Sequence, residues 1–103
     1  MHVNELLDVR QLISFVAVAE ELHFGRAASR LHISQSALSE HIRQLEASVG
    51  VDLLARTTRN ASLTLAGRVF LAHTRLILQH MKTLHEVARI AAQEAALEVE
   101  STD

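Results

Sequence analysis

Six side chains within ten positions carry the chemistry in this chain: Ser34, Gln35, Ser36, Ser39, Glu40 and Arg43. These are short or forked hydrogen-bonding groups, the types that match donors and acceptors on base edges in a DNA major groove. Their spacing is helical. Ser34 is an N-cap, and Ile33 and Leu38 flank it as a hydrophobic staple. The inner stripe of that helix is Leu38, Ile42, Leu45 and Val49, and Gly50 ends it. Ser36, Glu40, Arg43 and Ala47 fall opposite, with Ser39 on the flank. The free N–H groups at the start of such a helix also suit a phosphate, which places Ser34 with the DNA backbone. Each residue has a plainer reading. Gln35 and Ser36 can serve as ordinary helix-start residues, and Arg43 can pair with Glu40 or Glu46. Glu40 can simply favour the helix dipole.

A second, basic set surrounds the first. Arg26 and Arg30 lie on a short helix just upstream and suit phosphates, or only a solvated surface. Arg56, Thr57, Thr58, Arg59 and Asn60 lie between two apolar pieces, Leu53 to Ala55 and Leu63 to Leu65. This pattern predicts a two-stranded hairpin with a basic tip, thin enough for a minor groove, with Asn60 in a left-handed turn conformation. So small a hairpin must lean on helices.

The remaining elements position these groups. A first helix starts at Asp8, with Gln11 completing a capping box and Leu7 and Leu12 at staple positions. Its apolar face is Leu12, Phe15, Val16, Ala19 and Leu22. Gly25 opens a second helix whose inner face, Ala27, Ala28 and Leu31, permits a close approach. From Thr64, a good cap, no strong breaker appears until Ser101. Along that stretch Phe70, His73, Ile77, His80, Leu84, Val87 and Ala91 recur in steps of three and four, a heptad seam. A second copy of the chain is the expected partner for it.

Composition excludes several classes. The chain has 103 residues, 49% hydrophobic and 21% charged, which fits one small globular domain. There is no cysteine and no proline. Disulfides, thiolate metal sites and thiol catalysis are therefore excluded. No apolar run approaches the ~20 residues of a membrane span, and the first eight residues lack a signal-peptide core; a cytoplasmic location is expected. The net charge is −2, but it is unevenly spread. Residues 23–82 hold eight Lys/Arg against three acids, and acids dominate both flanking segments. A basic middle suits an anionic partner. His73 and His80 share a helical face, yet no third ligand sits at i+3 or i+4 on that face and zinc needs three or four, so no metal or cofactor is expected. Seam histidines more often set register, and would make association pH-sensitive if they met across a dimer. No nucleophile triad, phosphate loop or acidic pair points to catalysis, so no enzyme and no catalytic residue is expected.

Two short helices, a tight turn, an outward polar face and a basic hairpin describe a winged helix-turn-helix. The stretch FVAVAEELHFGRAASRLHISQSALSEHIRQLEASVGVDLLARTTRNASLTLAGRVFL resembles the DNA-binding domain of LysR-type transcriptional regulators. The matching pieces are AASRLHISQSALS, IRQLE, VDLLART and LTLAG, covering most of residues 8–90. The resemblance implies a mainly α winged helix-turn-helix over residues 1–65, a linker helix for dimerisation over 66–98 and a tail over 99–103. It implies a bacterial, nucleoid-associated regulator that binds double-stranded operator DNA as a homodimer. It also implies an effector-binding domain of two α/β lobes, which these residues do not include and with which a tetramer is possible. Two positions depart from the family pattern: Ser36 stands where proline is frequent, and Glu40 where a basic residue is frequent. A carboxylate at position 40 can accept from cytosine N4 or repel phosphate. The competing reading is a helical protein-interaction module with no DNA role. The polar, basic outer face of Ser36, Arg43, Arg56 and Arg59 argues against it.

Overall fold

The structure is a computed structural model that describes residues 7–57 and 60–101. The element order is α1 (Val9–Glu21), α2 (Phe24–Leu31), α3 (Gln35–Val49), β1 (Leu54–Arg56), β2 (Ala61–Leu63) and α4 (Leu65–Ser101). The strands form one antiparallel pair with Leu54 opposite Leu63 and Arg56 opposite Ala61. Thr58 and Arg59, at the expected tip, lie outside the described residues, as do Met1 to Leu6 and the last two residues of the expected tail.

Helix α1 is the centre of the body and packs against α2, α3 and α4. Phe15 and Val18 on α1, Leu38, Ile42 and Leu45 on α3, and Leu53 before the hairpin are fully enclosed. Ala27 and Ala28 bring α2 close, and Leu54 and Ala61 anchor the hairpin to the same core. Because neighbours surround α1 on three sides, its buried arc is wider than a one-sided stripe. Val18, which the expected face omitted, is fully buried. Val16 is only partly covered, and Leu22 is no part of the face. Leu22 instead ends α1 in the left-handed conformation, φ 53°, and its N–H donates to the Val18 carbonyl.

Local signals hold at some helix starts and fail at others. Asp8 caps α1 by accepting from the Arg10 N–H at 2.8 Å, and Ser34 caps α3 by accepting from Ala37 N–H at 3.0 Å. The Gln11 capping box does not form. The Gln11 amide reaches across to Gln44 Oε1 at 3.0 Å instead, while Leu7 stays exposed. Helix α2 opens one residue before Gly25, capped by the His23 imidazole, whose Nδ1 accepts from Arg26 N–H at 3.0 Å. The second strand begins two residues earlier than expected. Thr64 and Leu65 belong to the next helix: the Thr64 hydroxyl accepts from Gly67 N–H and donates to the Asp52 carbonyl. Asn60 does not take the left-handed conformation; among described non-glycine residues Leu22 and His32 do. Asn60 pairs with His23 as an isolated bridge, and its carbonyl accepts from Thr57 N–H.

Helix α4 is 37 residues long and carries the molecule out to 67 Å in its longest dimension. Leu71 and Thr74 bury against the body and Leu78 partly so; beyond residue 80 every side chain of α4 through residue 100 is exposed. Among the described residues no helix is long and apolar enough to cross a membrane.

Candidate nucleic-acid interface

The outer surface of α3 displays the expected row. Ser34, Gln35, Ser36, Glu40 and Arg43 are exposed, and Ser39 is half-buried. Gln35 and Ser39 open onto a cleft of about 280 Å³ whose other walls are His23, Phe24, Gly25, Arg56 and Thr57. The turn before α2, the start of α3 and the hairpin thus meet at one place. Sequence reasoning did not find His23 or Phe24. Histidine is an unusual cap, and the partner of Phe24 is thirty-two positions away in the chain. The Arg56 guanidinium lies 5.1 Å from the centre of the Phe24 ring and bonds Glu46 Oε1 at 3.0 Å. Arg56 is the last residue of β1, beside the turn, but its side chain is drawn back onto Phe24 and Glu46, where the sequence pattern suggested a free tip. Thr57 closes the described part of the turn by exchanging hydrogen bonds with the Asn60 backbone.

Glu46 is a third residue whose role the sequence reading missed. Its Oε2 accepts from the Leu53 and Leu54 N–H groups at 2.8 and 3.2 Å, while Oε1 holds Arg56. One carboxylate thus fixes the wing against α3 and satisfies two backbone donors beside the core. Arg43 does not pair with Glu46. It turns to Glu40, with Nε on Oε2 at 2.9 Å and a second bond to Oε1. Gln44 also donates to Glu40, at 3.1 Å. The guanidinium lowers the Glu40 carboxyl below its usual range, and Glu40 raises Arg43 in turn.

The two arginines of α2 are also paired. Arg26 donates to the Glu21 carbonyl at 3.0 Å, and Arg30 spans Glu20 at 2.7 Å and Glu21 at 3.3 Å. Glu20 takes Arg75 of α4 at 2.9 Å as well, so one carboxylate bridges three helices. Hydrogen bonds from Arg30 and then Arg75 hold Glu20 below the ordinary carboxylate range.

On α4, His73, Ile77, His80, Leu84, Val87 and Ala91 are exposed. Phe70 is different: it is half-buried and stacks edge-on against Phe15 of the same chain at 5.4 Å. The seam position nearest the body therefore shares its ring with the domain's own core. Phe70 and His73 also border an apolar hollow with Val49, Val51, Leu53, Leu65, Ala66 and Val69. Among the described residues no three His, Cys, Asp or Glu side chains gather in a metal-binding group.

Comparison with known proteins agrees with this geometry. Residues 9–68 match the bacterial regulatory helix-turn-helix protein, lysR family. The HTH-type transcriptional regulator AlsR of Bacillus subtilis is 49% identical over 87 residues, 84% of this chain and 29% of the relative. An uncharacterized HTH-type transcriptional regulator of Escherichia coli, YnfL, is 60% identical over 72 residues, 70% of this chain and 24% of the relative. Among solved structures, a CbnR_DBD–DNA complex is similar at TM-score 0.81 and 42% identity, over 82% of this chain and 98% of that one. A BenM_DBD complex with catB site 1 DNA is similar at TM-score 0.79 and 34% identity, covering 82% and 96%. The chain belongs to the lysR family of bacterial regulatory helix-turn-helix proteins. It carries that family's winged helix-turn-helix DNA-binding domain, and spans under a third of the length of the curated relatives named above.

Proposed function

We propose that this chain binds double-stranded operator DNA sequence-specifically, as a homodimer, and thereby regulates transcription in the bacterial cytoplasm. The observation that carries this reading is the exposed row Gln35, Ser36, Glu40, Arg43 beside a cleft that also takes in Arg56 and Thr57 of the wing. In the docking that follows, α3 enters the major groove and Gln35, Ser36, Ser39, Glu40 and Arg43 face base edges. Arg56, Thr57, Thr58 and Arg59 approach the adjacent minor groove or backbone. Ser34, Arg26 and Arg30 serve phosphates, the two arginines exchanging their present partners on Glu20 and Glu21 for DNA oxygens. Similar proteins solved as DNA complexes support the reading.

The dimer is supported by α4. Ile77, Leu84 and Val87 are 47%, 63% and 55% exposed, an apolar row with no cover of its own. The charges of the helix also divide. Arg68, Arg75 and Lys82 lie in its first half, and Glu86, Glu94, Glu98 and Glu100, with Arg89 among them, in its second. An antiparallel pairing of two copies sets unlike halves together. With an effector domain in the full-length protein, such dimers can join into tetramers.

Selection from a pool of random duplexes tests the reading, with enriched and scrambled sequences then compared at one salt concentration. Enrichment of a two-fold symmetric motif is expected. Recovery of the pool unchanged, with salt-insensitive retention, overturns the DNA role and leaves a protein-interaction module.

A further inference from the structure

Glu40 is the acid on the outward row of α3, the helix read above as entering the major groove. The other acid of that helix, Glu46, is committed to the hairpin backbone. Both oxygens of Glu40 are engaged, Oε2 by Arg43 Nε and Oε1 by the Arg43 terminal nitrogen and the Gln44 amide. Gln44 is steadied from α1 by Gln11. A chain of contacts therefore runs from the scaffold helix through Gln11, Gln44 and Glu40 to Arg43. It holds the arginine along the helix surface, with its forked edge already satisfied.

A guanidinium in that state is a poor scavenger of phosphates. Two of its five N–H donors are spent on Glu40, which also offsets its charge. To turn that Nε–Nη2 edge to a DNA oxygen it must give up both charge-assisted bonds, and it leaves a carboxylate held by Gln44 alone facing a polyanion. At a random position one phosphate replaces the arginine's partner, and nothing replaces the carboxylate's. At a G·C pair the major groove offers two acceptors on guanine for Arg43, and the cytosine amino group is a donor for Glu40. An A·T pair also carries acceptors and an amino donor, but a G·C pair sets two acceptors side by side on one base, the arrangement that matches the arginine's fork while the amino group meets the carboxylate.

We infer that Glu40 is a specificity-determining residue that acts by competing with DNA phosphates for Arg43, suppressing attachment to arbitrary sequence while permitting it where a G·C pair satisfies both side chains. The inference rests on the DNA-binding reading above. It differs from simple repulsion of phosphate by Glu40, because its effect passes through Arg43.

A double-mutant cycle separates these possibilities. Wild type, Glu40→Gln, Arg43→Ala and the double variant are titrated with a random-sequence duplex across a range of salt. Releasing Arg43 gives each recognition helix one more phosphate. Glu40→Gln is therefore expected to steepen the slope of log K against log salt by about 0.9 per helix. In the Arg43→Ala background the same substitution should leave the slope unchanged. The ratio of selected-site to random-duplex affinity should fall in Glu40→Gln. Equal strengthening in both backgrounds overturns the competition and leaves plain repulsion. No change in either background places Glu40 away from DNA and also overturns it. Circular dichroism melts guard against misfolding: a variant that loses cooperative unfolding is replaced by Glu40→Ala, and the same coupling to Arg43 is required of it. If wild type itself shows no salt-dependent binding to any duplex, the DNA-binding reading fails first. Binding without coupling removes the role of Glu40 alone.

Discussion

Gly67 shows how little room a single position has. A Cβ built there comes within 2.0 Å of the Leu53 carbonyl oxygen and 3.0 Å of its carbon, so the start of α4 lies directly on the chain entering the hairpin. In an open helix, exchanging glycine for alanine stabilises by about 1 kcal/mol. Here Gly67→Ala is expected to destabilise, by about 1–3 kcal/mol or more, because backbone atoms must move. Urea titration checks this, and a gain in stability would show that the two segments can separate freely. Glu46 is the matching polar case. Glu46→Ala leaves the Leu53 and Leu54 N–H groups without their acceptor beside buried side chains. An orphaned buried donor costs about 1–3 kcal/mol. The same change frees Arg56 from its anchor. The expected outcome is a less stable protein with faster amide exchange at Leu53 and Leu54 than in wild type, followed by hydrogen-exchange NMR.

Between elements, the arginine and carboxylate pairs set how helices lie on one another. Glu20 connects α1 to Arg30 of α2 and Arg75 of α4. Its carboxyl is lowered in the folded state, so its contribution to stability is fully present above the unfolded value, about pH 4.3. That contribution is lost as pH falls through the lower folded value. Glu20→Gln should therefore be less stable than wild type near neutrality, by at most about 1 kcal/mol for so exposed a cluster. The two proteins should converge in acid. Denaturation curves at several pH values decide it, and a difference that persists unchanged in strong acid would show that the carboxylate charge is not the cause. Arg30 is also a proposed phosphate ligand. Raising salt weakens both roles, so these comparisons belong at one ionic strength.

For the whole molecule, the 37-residue α4 outruns the body it grows from. Only its first part finds cover, on Leu71, Thr74 and, partly, Leu78. An extended, lone helix with Ile77, Leu84 and Val87 exposed calls for a partner to bury them. The proposed dimer, sharing this helix, would also bring two α3 helices to one DNA duplex. Leu84→Asp is expected to give monomers in sedimentation at tens of micromolar, about the range where weak dimers persist. It should also bind operator DNA much more weakly with its fold intact, since Leu84 is 63% exposed on its own chain. Wild-type protein that sediments as a monomer at that concentration would refute the dimer.

Periodicity and caps alone led to α3, its bounds and its outward row, because Ser34, Leu38 and Gly50 are local signals that tertiary contacts do not override. The hairpin and the long helix were legible for the same reason, and the family resemblance followed from motifs that embody these signals. What needed the fold were the partners of long charged side chains. Arg43 had two acids within helical reach, and only the hairpin's claim on Glu46 left it to Glu40. Gln11 was well placed for its own cap, but a packed α3 offered Gln44. Arg56 seemed to be a free tip until Phe24 and Glu46 closed on it. The breadth of the buried arc of α1, and the need for glycine at position 67, likewise depend on which elements surround a residue. A helical period specifies one face of a segment, but how many neighbours press on that segment is settled only when the chain has collapsed around it.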